Sequence, residues 1–182
     1  GREVRTLEGH KGWVNAVSIF AEGRWAISVS SDRTLKVWDL ESGREVPTLK
    51  GHTGYVRGVL VSAQGRRAIS ASGDGTLKVW DLDSGREVRT LLGHTDLVTA
   101  ISVFAEGGRA VCASLDNTLK VWDLDTGELV ATFTGEWPMW ACAVAPDGVT
   151  VVAGDSMGRM YFLRLEGDGA EGRRREEGGS RQ

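Results

Sequence analysis

The sequence predicts an all-β fold made from copies of one four-stranded antiparallel sheet. Three observations predict it. The heptapeptide Thr-Leu-Lys-Val-Trp-Asp-Leu occurs at 34–40, 76–82 and 118–124, each copy 42 residues after the last. Within each copy, apolar and polar residues alternate with a period of two, the pattern of a strand. Glycine is abundant, 25 of 182 residues against three prolines, which points to many tight turns between short strands.

The repeat extends beyond the heptapeptide. Arg-Glu-Val starts at 2, 44 and 86, and Gly-His falls at 9–10, 51–52 and 93–94. A period of this length marks a stacked or circular array of similar units. In the first unit four strands are predicted, at about 14–20, 25–30, 34–40 and 45–49. They are separated by the turn signals Ala-Glu-Gly-Arg, Ser-Ser-Asp-Arg and Glu-Ser-Gly-Arg. Strands this short, joined by turns this tight, pair antiparallel with their sequence neighbours. No segment carries an i, i+3, i+4, i+7 pattern over three turns, so no substantial helix is predicted. One such sheet cannot cover both of its faces. Radial stacking of similar sheets gives each face a neighbour.

Gly-His, then 28 residues from His10 to Trp38, then Trp-Asp, with Asp32 in the turn six residues before the Trp, resembles the WD-repeat (Trp-Asp repeat) β-propeller family. The resemblance covers residues 1 to about 166 and implies a propeller with four blades of four antiparallel strands, as a partial array or a small closed ring. Full repeats are expected at 9–50, 51–92 and 93–134, and a degenerate last repeat at 135–166. Residues 1–8 match the outermost strand of a blade, which in this family often completes the last blade and closes the ring. The count of one, twelve and three strands then gives sixteen. The family's usual blade number is about seven, the chain begins with Gly1 and the last unit is degenerate. The tail of a longer array is therefore the favoured expectation, over closure by four blades alone or by two chains.

In this family a His, a Ser or Thr, an Asp and a Trp of each blade form a hydrogen-bonded tetrad. Carried over by position, these are His10, Ser28, Asp32 and Trp38, then His52, Ser70, Asp74 and Trp80, then His94, Cys112, Asp116 and Trp122. The chemistry is intelligible: a buried Trp offers one N–H that needs an acceptor. The third network is expected to be looser, because a thiol is a weak partner. In the fourth unit Glu136 replaces His, Met157 replaces the turn Asp, and Leu163-Arg164 replaces Trp-Asp. That blade is expected to be held by apolar packing. It is also similar to the last blade of propellers in large bacterial signalling ATPases.

Other chemistry is weakly represented. A net charge of −3 and a pI near 5.7 give no electrostatic case for nucleic acid. No apolar run reaches the length of a membrane span. Cys112 and Cys142 are too few and too far apart for a disulfide framework or a zinc site, which fits a cytoplasmic protein. The three histidines belong to separate blades and radiate apart, so no metal or other cofactor is expected. No Ser-His-Asp constellation or phosphate loop is evident, and no enzymatic activity is expected. Arg173, Arg174 and Arg175 are flanked by Glu171, Glu176 and Glu177 in a stretch, 167–182, expected to be a disordered, solvated tail.

The loop after each Gly-His varies while the strands hold constant. Trp13, Tyr55, Leu97 and Trp137 with Met139 occupy it, and Asn15, Arg57 and Thr99 follow the first Val of each inner strand. Aromatic residues and Arg are enriched at binding hot spots, and in this family these loops lie on the face where partners dock. The expected function is a non-catalytic platform for a protein or peptide, the C-terminal part of a larger signalling or scaffold protein. The alternatives are a structural array that self-associates through an incomplete ring and, more remotely, an enzyme on a propeller. Unselected loop drift is the structural alternative for the loop residues.

Overall fold

The computed structural model of the chain describes residues 1–62 and 64–166; the 167–182 segment, with Arg173 to Arg175, lies outside the described residues. The fold is all-β, in four antiparallel sheets with strands in sequence order. The first blade contains β1 (Val14–Phe20), β2 (Trp25–Ser30), β3 (Thr34–Asp39) and β4 (Glu45–Lys50). The second contains β5 (Val56–Val61), β6 (Arg67–Ser72), β7 (Leu77–Asp81) and β8 (Arg86–Leu91). The third contains β9 (Val98–Val103), β10 (Arg109–Ser114), β11 (Thr118–Asp123) and β12 (Leu129–Thr134), and the fourth β13 (Met139–Val144), β14 (Thr150–Asp155) and β15 (Met160–Arg164). The first-blade strands fall within a residue of the predicted limits. A three-residue 3-10 turn, Ala21–Gly23, is the only helical element among the described residues.

Two expectations need correction. The fourth blade has three strands, not four. Residues 1–8 form no strand, so the described residues hold fifteen strands where sixteen were counted. The physical reason is the lack of an edge to pair with. A strand exists only through ladder hydrogen bonds to a neighbour, and residues 1–8 lie against the first blade, at the opposite end of the array from β15.

Blades pack face to face in series. Val56 and Val59 of the second blade meet Ile27, Val29, Leu35, Val37 and Leu49 of the first. Val98 of the third meets Ile69, Ala71, Leu77 and Val79 of the second. Met139, Val151 and Ala153 of the fourth meet Val111, Ala113, Leu119 and Val121 of the third. The second strands β2, β6 and β10 are buried along almost their whole length on both sides, so each sheet offers a surface to the neighbour on either face. The two ends of the series are uncovered. Val17 is 59% exposed where its counterpart Val59 is 4%, and at the far end Met160 and Phe162 are exposed.

Each innermost strand carries the same irregularity. Its pairing with the second strand slips after the first residue, between Val14 and Ala16, Val56 and Gly58, Val98 and Ala100, and Met139 and Ala141. Asn15, Arg57, Thr99 and Trp140 are the extra residues of four β-bulges, which re-aim a side chain out of the ladder.

The packing predicts a sharp contrast between equivalent positions. Val59→Ala should cost about 1–3 kcal/mol by opening a cavity between blades, whereas Val17→Ala should stay within about 0.5 kcal/mol. Denaturant melts of the two variants check this.

Candidate functional site

The polar site of each full blade is built from four places in the chain. The third strand supplies Trp, the second strand Ser, the turn between them Asp, and the loop before the first strand His. In the first blade the Trp38 indole N–H donates to Ser28 Oγ at 2.8 Å, Ser28 Oγ lies 2.8 Å from His10 Nε2, and His10 Nδ1 lies 2.9 Å from Asp32 Oδ2. In the second, Trp80, Ser70, His52 and Asp74 repeat this at 2.8, 2.7 and 2.9 Å. An ionised carboxylate only accepts. The proton on each His is therefore at Nδ1, and the Ser hydroxyl donates to Nε2 while accepting from the Trp. The glycine before His is explained by the same packing: a Cβ on Gly51 would stand 3.1 Å from the Trp80 ring edge and 2.9 Å from Glu87.

A fifth member was not anticipated. Thr34, Thr76 and Thr118 each donate a hydroxyl and a backbone N–H to the Asp Oδ1, with hydroxyl distances of 2.6 Å. Their signal was present, as the first letter of the repeated heptapeptide. Burial pushes the carboxyls of Asp32, Asp74 and Asp116 up, but bonds from these threonines, from the histidines and from the N–H groups of Lys11, Thr53 and Thr95 outweigh it and hold all three low. Burial lowers His52 and His94, against the pull of Asp74 and Asp116, so both rings favour the neutral form.

The tetrad expected from the family resemblance places a Ser, a His and an Asp in one line of hydrogen bonds in each of the first two blades. It has the distances of a nucleophile, base and carboxylate relay. It is closed to substrate, because Ser28 and Ser70 are buried and each Oγ already accepts the Trp N–H.

The third blade departs from the pattern at Cys112. Its Sγ lies 3.0 Å from His94 Nε2 and 3.4 Å from the Lys120 carbonyl, to which it donates. Burial pushes the thiol well up, beyond the small counter-pull of the Trp122 N–H nearby. That N–H itself makes no hydrogen bond and is left buried without an acceptor.

The fourth blade carries a polar staple of its own, which corrects the expectation of apolar packing alone. Asp155 stands where Ser30, Ser72 and Ser114 stand, at the end of the second strand. Its Oδ1 accepts the N–H groups of Met157 and Arg159 at 2.9 Å, and its Oδ2 accepts the Tyr161 hydroxyl at 2.9 Å. Arg159 then pairs with Glu136 at 2.6 Å. Among the described residues no group of three or more His, Cys, Asp or Glu side chains could hold a metal ion.

The face above the tetrads is formed by the loops after Gly-His and the turns between second and third strands, tied by bonds such as Ser31 N–H to Trp13 C=O at 2.9 Å. It brings Trp13, Tyr55 and Trp137 to the surface. Arg57 lies over the Tyr55 ring, 5.8 Å from its centroid. Other expected members are turned inward. Leu97 is buried, and Met139 is buried in the contact between the third and fourth blades, so neither offers a surface. Asn15 donates to the Val56 carbonyl of the next blade at 2.7 Å, and Thr99 to the Met139 carbonyl at 2.8 Å. These two side chains join blades. Trp140, exposed at the fourth bulge, was missed. The signal lay in alignment, since it follows Met139 as Arg57 follows Val56.

The model of the family described as WD domain, G-beta repeat, matches residues 1–39 and 43–81. A second, described as TEP-1 C-terminal beta-propeller, matches residues 94–165. The chain belongs to the WD-repeat family. Single repeats are also similar to curated proteins. Small ribosomal subunit protein RACK1 of Caenorhabditis elegans is 49% identical over 43 residues, which is 24% of this chain and 13% of that protein. Pleiotropic regulator 1 of Homo sapiens is 44% identical over 39 residues, 21% of this chain and 8% of that protein. Pre-mRNA-splicing factor PRP46 of Yarrowia lipolytica is 44% identical over 39 residues, 21% of this chain and 9% of that protein. The matches thus span about a tenth of each relative's length.

Two outcomes are expected of this WD-repeat site. Cys112→Ser should give the Trp122 N–H an acceptor and raise stability by about 0.5–1.5 kcal/mol, and Ser70→Cys should lower it by a similar amount. Chemical denaturation checks both. The pH response follows from the lowered pKa values. An unfolded chain binds protons at His52 and His94 before the folded one does, so stability is full above about pH 6.5 and declines as pH falls below it. The aspartates add a second loss below about pH 4. Melting temperature should therefore fall between pH 7 and pH 5; a flat profile would contradict the buried neutral rings.

Proposed function

We propose that this chain is a non-catalytic platform for a protein or peptide partner, carried within a larger signalling or scaffold protein. One observation carries the reading. Trp13, Tyr55, Trp137 and Trp140 are exposed together with the stacked Arg57 on a face whose tetrads and bulges hold it rigid. A rigid display of aromatic residues with an Arg is the composition of a binding core. The opposite rim is built from the near-identical polar turns 41–44, 83–86 and 125–128, each folded around an Asp that accepts backbone N–H groups, as Asp39, Asp81 and Asp123 do. A surface repeated from blade to blade offers little discrimination. Catalysis finds no support, because the hydroxyls and imidazoles of the tetrads are engaged with one another. The family and the relatives supply support at the coarse level only: the similar repeats occur in proteins named as a ribosomal subunit component and a splicing factor. Two free cysteines fit a reducing compartment such as the cytoplasm.

The faces can be told apart. Tyr55→Ala combined with Arg57→Ala should weaken a partner recovered by pull-down at least tenfold, about 1.4 kcal/mol, in a calorimetric titration. Changes at Ser42 and Ser84 should leave affinity within about twofold, roughly 0.4 kcal/mol. The reverse result would move the partner to the other rim.

A further inference from the structure

The outer strands of the three full blades are equivalent in place and unlike in chemistry. β4 reads Glu-Val-Pro-Thr-Leu-Lys, β8 Arg-Glu-Val-Arg-Thr-Leu and β12 Leu-Val-Ala-Thr-Phe-Thr. Each is the last strand of its sheet, so along one edge its backbone N–H and C=O groups have no partner strand among the described residues. Such an edge is a template for a further strand, and charged side chains or proline guard against it. β4 carries Glu45, Pro47 and Lys50, and β8 carries Arg86, Glu87 and Arg89. β12 carries neither a charge nor a proline, and its Val130, Thr132, Phe133 and Thr134 are strong strand formers.

The change at the head of β12 has a second effect. Leu129 pairs with Trp122 where Glu45 pairs with Trp38 and Glu87 with Trp80. Glu45 and Glu87 each hold a buried lysine of the third strand, Lys36 at 2.5 Å and Lys78 at 2.8 Å. Both lysines also donate to a threonine of the outer strand, Thr48 at 3.2 Å and Thr90 at 2.7 Å. The third blade keeps the lysine and the threonine and lacks the carboxylate. Lys120 donates to Thr132 at 3.4 Å and makes no ion pair among the described residues. An ammonium and a hydroxyl therefore face a place that a carboxylate fills in the first and second blades. Apolar side chains border it. Leu129 is 45% exposed, Val130 41%, and Leu92, which stands where Lys50 stands at the end of an outer strand, 71%. Leu92 precedes Gly93, and a Cβ on Gly93 would lie 3.9 Å from Lys120 Cδ.

We propose that the outer edge of the third blade is a second docking surface, for an extended segment of a partner protein that carries a glutamate or aspartate between apolar residues. The segment adds to β12 as a fifth strand of that sheet. Its backbone takes the free ladder positions of β12. Its carboxylate takes the place of the missing glutamate beside Lys120 and Thr132, and its apolar side chains cover Leu129 and Leu92. An added strand lies about 4.8 Å from β12, so an acidic side chain opposite Thr132 reaches back to the ammonium. The first and second blades are closed to such a segment, because Glu45 and Glu87 already occupy the cation. A second copy of this chain is the poorer occupant, since β12 itself brings no carboxylate.

The probe is a blocked heptapeptide, Thr-Val-Thr-Glu-Thr-Val-Thr, which reads the same in both directions and so fits a parallel or an antiparallel strand alike. Its twin carries glutamine in place of glutamate. Each is titrated into the isotopically labelled 182-residue chain, and the amide resonances are followed. The glutamate peptide should shift the β12 amides saturably, with a Kd of about 1 mM or tighter, and leave those of β4 and β8 in place. The glutamine twin should bind at least about threefold more weakly. Lys120→Gln should make the two peptides equal, and Leu129→Glu, which restores the carboxylate of the other blades, should do the same. A glutamate peptide that shifts no β12 amide at about 5 mM overturns the proposal. So does equal binding of the two peptides to the unchanged chain, which needs no variant to fold, and so do shifts spread alike over β4, β8 and β12. A chain that sediments as a dimer with its β12 amides already protected makes a second copy the occupant and overturns it as well.

Discussion

The rest of the structure depends on one requirement: a Trp indole buried between two sheets must give its N–H to something. Leaving such a group unpaired costs about 1–3 kcal/mol. In the first two blades the acceptor is a serine on the adjacent strand. That serine hands its own proton to a histidine from the loop above, and the histidine is fixed by an aspartate in the turn. Four parts of the blade that are distant in sequence are thereby held in one place. The loop after Gly-His inherits its position from the histidine, so the surface proposed for recognition is anchored by a bond network it does not itself contain.

The same requirement explains how the blades differ. With Ser replaced by Cys112, the third blade keeps its geometry and loses the bond to Trp122. In the fourth there is no Trp to satisfy, since Leu163 takes its place, and His and the turn Asp are gone as well. A carboxylate nevertheless reappears two residues earlier in the chain, at Asp155, where it organises the turn and receives the Tyr161 hydroxyl. The tight turn after the second strand still needs an acceptor for its N–H groups even when the indole does not.

Strand positions were legible in the sequence because alternation and turn residues are local signals, and the first-blade strands came out within a residue of their expected ends. The tetrad positions followed from the family resemblance, carried from blade to blade along the 42-residue repeat. What stayed hidden depends on neighbours. Asn15 and Thr99 looked like rim residues, but a bulge turns them toward the next blade's carbonyls, and no local pattern marks a bulge. Met139 looked like a surface apolar residue, but it is buried against the third blade. Residues 1–8 looked like a strand because their sequence is that of a strand, while pairing also needs an edge to pair with.

The bulges also decide how neighbouring blades are joined. At the upper face Asn15 clips the first blade to the second and Thr99 clips the third to the fourth. Between the second and third blades Arg57 turns to Tyr55 instead, and the cross-links there lie on the lower side, from Arg67 and Arg89 to Asp125. The joint between the second and third blades therefore differs in kind from its neighbours: its apolar contact is continuous, and its long side-chain cross-links lie on the side away from the aromatic face. Tyr55 and Arg57 stand above that joint, so their side chains are left to each other and to solvent where Asn15 and Thr99 are spent on a neighbouring backbone.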